Sequence, residues 1–357
     1  MEIMMPEELY DLKGCYIEIT SRCNLRCLHC YNESGNLDGE ISFQVFKKIV
    51  DEFIDEKTDI TISGGEPLLH PQIREFVEYL GNKNFKNSLL ITNATLIDCR
   101  VAEMLTENKM PVQVSINGIN AEEHDALCGK GNFDKTMRGL DNLINSNHPR
   151  IVIRCMVSAQ NHKHIEEFIV KMSEKAHVVV IGFLSEMGRG KKNKEIIGLN
   201  SFEKHKLINQ LKESKEINKL KKEGKRISIP EECFNGGCPL IHPASSKLPF
   251  SPRINSKGEV FLCQAFDDEN YAVGNINSIS LHEIVKSDKL CHFINFLNMG
   301  IQYMPKCRKC VWKMECGRGC IAQALDRGSV QETDGNCDIR KSIYGQNLIN
   351  SMLNAKS

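Results

Sequence analysis

Three cysteines on one short loop, Cys23, Cys27 and Cys30, constrain this chain more than any other feature. They follow a run that alternates like a strand, and Ile17 to Tyr31 reads I-E-I-T-S-R-C-N-L-R-C-L-H-C-Y. Three thiolates on such a loop can hold three irons of a 4Fe–4S cube, which leaves the fourth iron open to a small molecule. They could also bind zinc with a fourth ligand from elsewhere, although C-x3-C-x2-C is not a usual zinc spacing.

The chain has 357 residues, enough for one large domain and a smaller one. Its 46 basic and 46 acidic residues balance, so bulk charge gives no argument for nucleic acid or an anionic membrane. No stretch approaches the ~18 apolar residues of a membrane span. The start, M-E-I-M-M-P-E-E, lacks the basic-then-apolar pattern of a signal peptide. A cytoplasmic location follows as the expectation. In a reducing compartment, 16 cysteines read as metal or cluster ligands rather than disulfides.

From Lys13 to about Phe183 short β-branched runs alternate with amphipathic stretches. Strands are predicted at Cys15–Thr20, Asp59–Ser63, Ser88–Thr92, Val112–Ile116, Ile151–Val157 and Val178–Phe183. Helices are predicted near Ser42–Asp55, Pro71–Leu80, Asp98–Glu107, Asp134–Ser146 and Ile165–Ala176. Six such repeats argue parallel β/α units, and periodicity cannot choose between an open sheet and a partial barrel. The second strand runs into Gly64-Gly65-Glu66-Pro67, where two glycines let backbone approach a ligand and Pro67 fixes the exit.

The cysteine array followed by G-G-E-P at a strand end resembles the radical S-adenosylmethionine (SAM) enzymes. The resemblance implies an α/β fold with a partial (β/α)6 TIM-like barrel and functional residues at the C-terminal strand ends. It implies that SAM chelates the open iron and is cleaved to a 5′-deoxyadenosyl radical. The backbone of Gly64, Gly65 and Pro67 and the Glu66 side chain would receive its amino group. His29 stands where relatives carry an aromatic against the adenine. V-S-I-N-G, ending at Gly118, stands where relatives read S-x-D-G, so Ser115 and Asn117 would face the ribose. Many relatives carry Arg where this chain has Cys128. Arg154 interrupts the apolar strand I-V-I-R-C-M-V. Either it pairs with the SAM carboxylate, or it is a partly exposed residue near a strand end.

The expected divisions are a barrel over 1–184, a basic helical linker over 185–229 and a cysteine-rich module with a C-terminal helix over 230–357. The last carries Gly258-x4-Cys263, then Cys307-x2-Cys310-x5-Cys316-x3-Cys320, then Cys337, with Cys233 and Cys238 upstream. This order resembles the SPASM domain of some radical SAM enzymes. The resemblance implies that Cys233, Cys238, Cys263 and Cys320 hold one auxiliary 4Fe–4S cluster. Cys307, Cys310, Cys316 and Cys337 would hold another, giving three clusters in all. A zinc knuckle of Cys307, Cys310, Cys316 and Cys320 is the competing reading. Cys15, Cys99, Cys128, Cys155 and Cys291 are expected to be buried thiols.

Fully ligated auxiliary clusters point to electron transfer, hence to a net oxidation rather than an isomerisation. SPASM relatives mostly modify peptides or proteins, so the expected activity is a thioether or carbon–carbon cross-link in a ribosomal peptide. A flavodoxin- or ferredoxin-like protein would donate electrons. Oxidation of a porphyrin-like or other small molecule is the alternative, with peptide epimerisation behind it. Sulfatase maturases carry an Asp base directly after the cysteine equivalent to Cys263, where this chain has Gln264. Only about 20 residues precede Cys23, so a leader peptide would be held by a separate leader-binding protein or by the barrel.

Overall fold

A computed structural model describes residues 10–35, 38–53, 58–83, 85, 87–234, 238, 248–266, 268–297 and 303–354. The six predicted strands all form: β1 Gly14–Thr20, β2 Asp59–Gly64, β3 Leu89–Thr92, β4 Val112–Ser115, β5 Ile151–Val157 and β6 Val178–Phe183. They pair in chain order and all run parallel, with Ile17 opposite Ile62 and Ser115 opposite Arg154. Helices α1 Phe43–Asp51, α2 Ile73–Lys83, α3 Cys99–Glu107, α4 Ala121–Cys128, α5 Asn132–Asn145 and α6 Ile165–Ser173 connect them. Of these, α4 was not predicted; its A-E-E-H-D-A-L-C sequence has no clear apolar stripe.

One face of the sheet packs on the helices. Ile17, Ile19, Ile60, Ile62, Leu90, Val112, Val114 and Ile153 are buried there with Phe46, Phe76 and Phe168. The other face is packed unevenly, with Tyr16, Glu18, Ser63, Gln113 and Val152 buried on it. Thr61, Leu89, Ile91, Ser115, Met156 and Val180 are only half-buried, and Arg154 is exposed. A closed eight-stranded barrel plugs its interior with side chains, whereas on this face the sheet keeps a cavity at its strand ends.

The sheet is wider than six strands. From the segment read as a linker, β7 Arg226–Ser228 adds in parallel to β6. At the opposite edge β8 Arg253–Ile254 adds in parallel to β1, and β9 Glu259–Phe261 and β10 Gly274–Asn275 continue antiparallel. Strands of two or three residues are too short to show an alternation. The buried Arg253 guanidinium makes a 2.8 Å ion pair with Glu18 of β1 and donates to the Phe266 carbonyl. A charge buried this deeply is costly without such partners.

The linker is not one exposed helix. It breaks into α7 Gly188–Lys192, a short turn of helix, α8 Ser201–Glu213 and α9 Lys215–Lys222. Ser214 ends α8 and caps α9. Leu207, Ile208, Leu211 and Ile217 are buried. The C-terminal helix α10, Cys337–Asn354, packs Ile339, Ile343 and Tyr344 with Ile208 and Phe234.

Candidate functional site

The loop after β1 delivers Cys23, Cys27 and Cys30 to one cavity at the C-terminal ends of the strands. His29, Gly64, Gly65, Ser115 and Asn117 line the same cavity. Three predicted thiols and five predicted cofactor contacts therefore converge from the β1 loop, β2 and β4.

The G-G-E-P turn works differently from the simple expectation. A Cβ on Gly64, whose φ is +136°, would lie 2.3 Å from the Thr20 carbonyl oxygen. A Cβ on Gly65 would lie 2.1 Å from that of Arg22. The glycines are thus needed to seat the cysteine loop itself, whatever ligand follows. Glu66 is fully buried and does not line the cavity. Its carboxylate accepts from Thr92 Oγ1 at 2.7 Å, from the Asn93 amide at 2.8 Å and from the Leu68 amide at 3.2 Å. Burial pushes this carboxyl up to about 7 against those donors. Pro67 is buried in the turn that follows. Gly64 and Gly65, not the Glu66 side chain, face the cavity.

Asn117 is almost fully buried and tied down on several sides. Its Oδ1 accepts from the Met156 amide at 2.9 Å, and its Nδ2 lies 3.5 Å from His29 Nε2. Burial pushes the His29 imidazole down to about 4, so the ring is neutral at ordinary pH. Arg154 does not line the cavity. It stands beside Ser115 in the sheet register, on the same face.

Several residues at the site gave no signal in isolation. Arg189 Nε donates to the Cys27 carbonyl at 2.8 Å and Nη1 to the Ser34 carbonyl at 3.0 Å. Its cationic head lines the cavity and favours the thiolates of Cys27 and Cys30. A Cβ on the preceding Gly188 would sit 2.3 Å from the Tyr31 carbonyl oxygen. The Gly-Arg-Gly at the start of the supposed linker was the available signal. The Cys128 and Cys27 thiols are free and hydrogen-bonded to each other, and both lie within 4.8 Å of a His29 ring nitrogen. Cys128 is therefore a wall of this site and not only a core thiol. Cys15 and Cys155 are buried as expected, whereas Cys99 is exposed and Cys291 half-buried. Tyr16 and Tyr31 also line the cavity, with hydroxyls 2.9 Å apart, and Tyr31 donates to Glu18 at 3.1 Å.

Burial pushes Cys23 up to about 12 and raises Cys30. Cys27 is raised first by its bond to Cys128 and then by burial. Unliganded thiols here keep their protons, and a metal group must displace them.

The C-terminal cysteines fall into two sets. Cys307, Cys310, Cys316 and Cys337 line one solvent-open cavity. Cys238, Cys263 and Cys320 pack against the main core and lie within reach of one another's charge. Cys233 lies in the turn Pro230–Phe234, and its side chain falls outside the described residues. Gly258, at φ +81°, closes the turn between β8 and β9, and the chain runs from β9 on to Cys263. Cys320 thus sits with Cys263, not with the three cysteines before it, which separates it from the zinc-knuckle set. Gln264 is exposed, and Asp267 lies outside the described residues.

Residues 17–172 match the model of the radical SAM superfamily, and 250–311 match the SPASM iron–sulfur cluster-binding domain. The AdoMet-dependent heme synthase of Methanosarcina barkeri is 30% identical over 332 residues, 86% of this chain and 90% of that protein. The chain belongs to the radical SAM superfamily. This radical SAM protein is also 29% identical to the subtilosin biosynthesis protein AlbA of Bacillus subtilis, over 87% of the chain and 67% of AlbA. It is 35% identical to the mycofactocin maturase MftC of Mycolicibacterium smegmatis over 182 residues. That match covers 48% of the chain and 45% of MftC, so the chain spans about half the length of that relative. The solved structure of anSMEcpe with bound AdoMet and a Cp18Cys peptide superposes with a TM-score of 0.73 at 22% identity. It covers 96% of this chain and 99% of that one, and shows the same fold. As a superfamily member with a SPASM domain, the protein takes SAM, a SAM-binding 4Fe–4S cluster and auxiliary iron–sulfur clusters. The three converging thiols and the two further thiol sets fit those groups. Among the described residues, no helix is long and apolar enough to cross a membrane.

Proposed function

We propose that this protein oxidatively modifies a peptide or protein, forming a thioether or carbon–carbon cross-link. The three-thiol cavity at the strand ends, together with the likeness to the maturase MftC and the bacteriocin biosynthesis protein AlbA, carries this reading. Arg154 is exposed on the same sheet face, outside the cavity lining. When bound, the SAM cluster supplies the electron that cleaves SAM to a 5′-deoxyadenosyl radical.

The chain's own residues do the positioning. Cys23, Cys27 and Cys30 hold three irons, and Arg189 fixes the carbonyls of their loop. Gly64 and Gly65 give backbone to the SAM amino group, while Glu66 locks the turn from behind. Ser115 and Asn117 reach the ribose, and His29 stacks as a neutral ring on the adenine. Arg154, beside Ser115, pairs with the SAM carboxylate. Cys233, Cys238, Cys263 and Cys320 hold one auxiliary cluster; Cys307, Cys310, Cys316 and Cys337 hold the other. With four thiols each, clusters held there would have no open iron and would supply electron transfer. A flavodoxin- or ferredoxin-type donor and a separate leader-binding protein complete the system, which works in the reducing cytoplasm.

Likeness to a heme synthase over most of its length makes oxidation of a porphyrin the second reading. One experiment separates the two. The anaerobically reconstituted protein receives reductant, SAM and either an iron porphyrin or the short peptide encoded beside its gene. The expected result is 5′-deoxyadenosine together with a peptide lighter by two hydrogens. Turnover of the porphyrin alone would reverse the order of the readings, and no 5′-deoxyadenosine would defeat both.

A further inference from the structure

The cavity lined by Cys307, Cys310, Cys316 and Cys337 has an unusual wall. Lys306, Lys313, Arg318, Arg327, Arg340 and Lys341 line it, against a single carboxylate, Asp338. Buried Asp334 neutralises Arg340 through contacts of 2.6 and 2.7 Å, and Glu186 meets Arg327 at 3.1 Å. Lys306 reaches Glu332 only at 3.5 Å. Among the described residues, Lys309, Lys313 and Lys341 have no ion pair. The cavity mouth therefore keeps a positive excess in solvent.

Two large apolar side chains are exposed on the chain segment that supplies three of these cysteines. Val311 is 83% exposed and Met314 76%, on the loop that also carries Cys307, Cys310 and Cys316. Nothing in the fold accounts for their exposure, since Trp312 between them turns inward onto Tyr344. An apolar tip ringed by lysines over a redox site has the character of a small, weak, electrostatically steered interface.

We propose that the loop from Lys306 to Met314 is the docking surface for a small acidic one-electron carrier of the flavin or iron–sulfur type. Lys306, Lys309 and Lys313 steer the carrier, and Val311 and Met314 seat it over the four cysteines. One electron passes from the reduced cluster held there to the oxidised carrier, with no bond made or broken. This inference rests on the auxiliary-cluster reading above.

The test uses the reconstituted full-length protein and a purified acidic flavodoxin as probe. Stopped-flow absorbance follows oxidation of the reduced clusters, from low salt to about 0.5 M. In Lys306→Glu/Lys309→Glu/Lys313→Glu the second-order rate should fall at least tenfold at low salt, and the difference should close at high salt. Val311→Ser/Met314→Ser should slow the reaction at every salt concentration. Iron content, and SAM cleavage driven by photoreduced 5-deazariboflavin, an uncharged mediator, should match wild type in both variants. Wild-type flavodoxin kinetics in the charge-reversed variant would overturn the inference. So would loss of anionic-vesicle binding in that variant with flavodoxin kinetics intact. Absent SAM cleavage with the uncharged mediator would instead fault the proposed function, because the flavodoxin rate is read separately.

Discussion

Cys23, Cys27 and Cys30 come from one loop after one strand, whereas Cys238, Cys263 and Cys320 are gathered from three distant stretches. The first set is walled by backbone, the imidazoles of His29 and His124 and hydroxyls, with Arg189 as its cation. The cavity of Cys307, Cys310, Cys316 and Cys337 is walled largely by lysine and arginine. A site with three thiols and polar hydrogen-bonding walls suits a small ligand that must be oriented. One with four thiols and cationic walls suits a group that only gains and loses charge. On the proposed reading, the two regions would divide the work between placing a reactant and moving electrons.

The most direct attempt to break that division replaces one thiol on each side. Cys27→Ala should reduce 5′-deoxyadenosine formation to background. Cys316→Ala should leave it standing while removing about four irons per chain and stopping substrate oxidation. Equal loss of 5′-deoxyadenosine in both variants, by chromatography, would mean that the two regions act as one. A smaller effect sharpens the orienting side. Arg154→Ala should weaken SAM binding roughly 10- to 100-fold, as expected for one charge-assisted hydrogen bond of about 1.5–3 kcal/mol, with iron content unchanged. Unaltered binding by calorimetry would return Arg154 to the role of a rim residue.

The smallest effect concerns Glu66. Burial holds its carboxyl at about 7 in the folded chain, above its ordinary value of 4.5. The folded state therefore binds that proton more tightly than the unfolded state. The stabilisation is full below pH 4.5 and is lost as pH rises through 7. In the cluster-free protein, Glu66→Gln should flatten this decline, a change on the order of 1–3 kcal/mol by urea titration. An identical slope in the variant would show that Glu66 is already ionised across the range.

The six barrel strands were legible because each carries a β-branched run with a buried outer face, as in Ile151–Val157. The edges were not, since Arg226–Ser228 and Arg253–Ile254 take their strand character from the neighbour they meet. The cysteine array was legible because its spacing is local. Arg189 was hidden because the carbonyl it binds, that of Cys27, is 162 residues away. Cys128 and Cys27 likewise meet only in the fold. The G-G-E-P turn was found in the right place, but the steric need for its glycines lies in Thr20 and Arg22, which only the backbone path reveals.

The sheet's first long strand has its outer neighbour at Arg253 and Ile254, far along the chain. During synthesis, β1 therefore waits with one edge open until the ribosome has made more than two thirds of the polypeptide. The Glu18 carboxylate waits equally long for its guanidinium partner. Iron delivery to the amino-terminal loop, if it is to reach a finished sheet edge, must wait until Arg253 and Ile254 have left the ribosome.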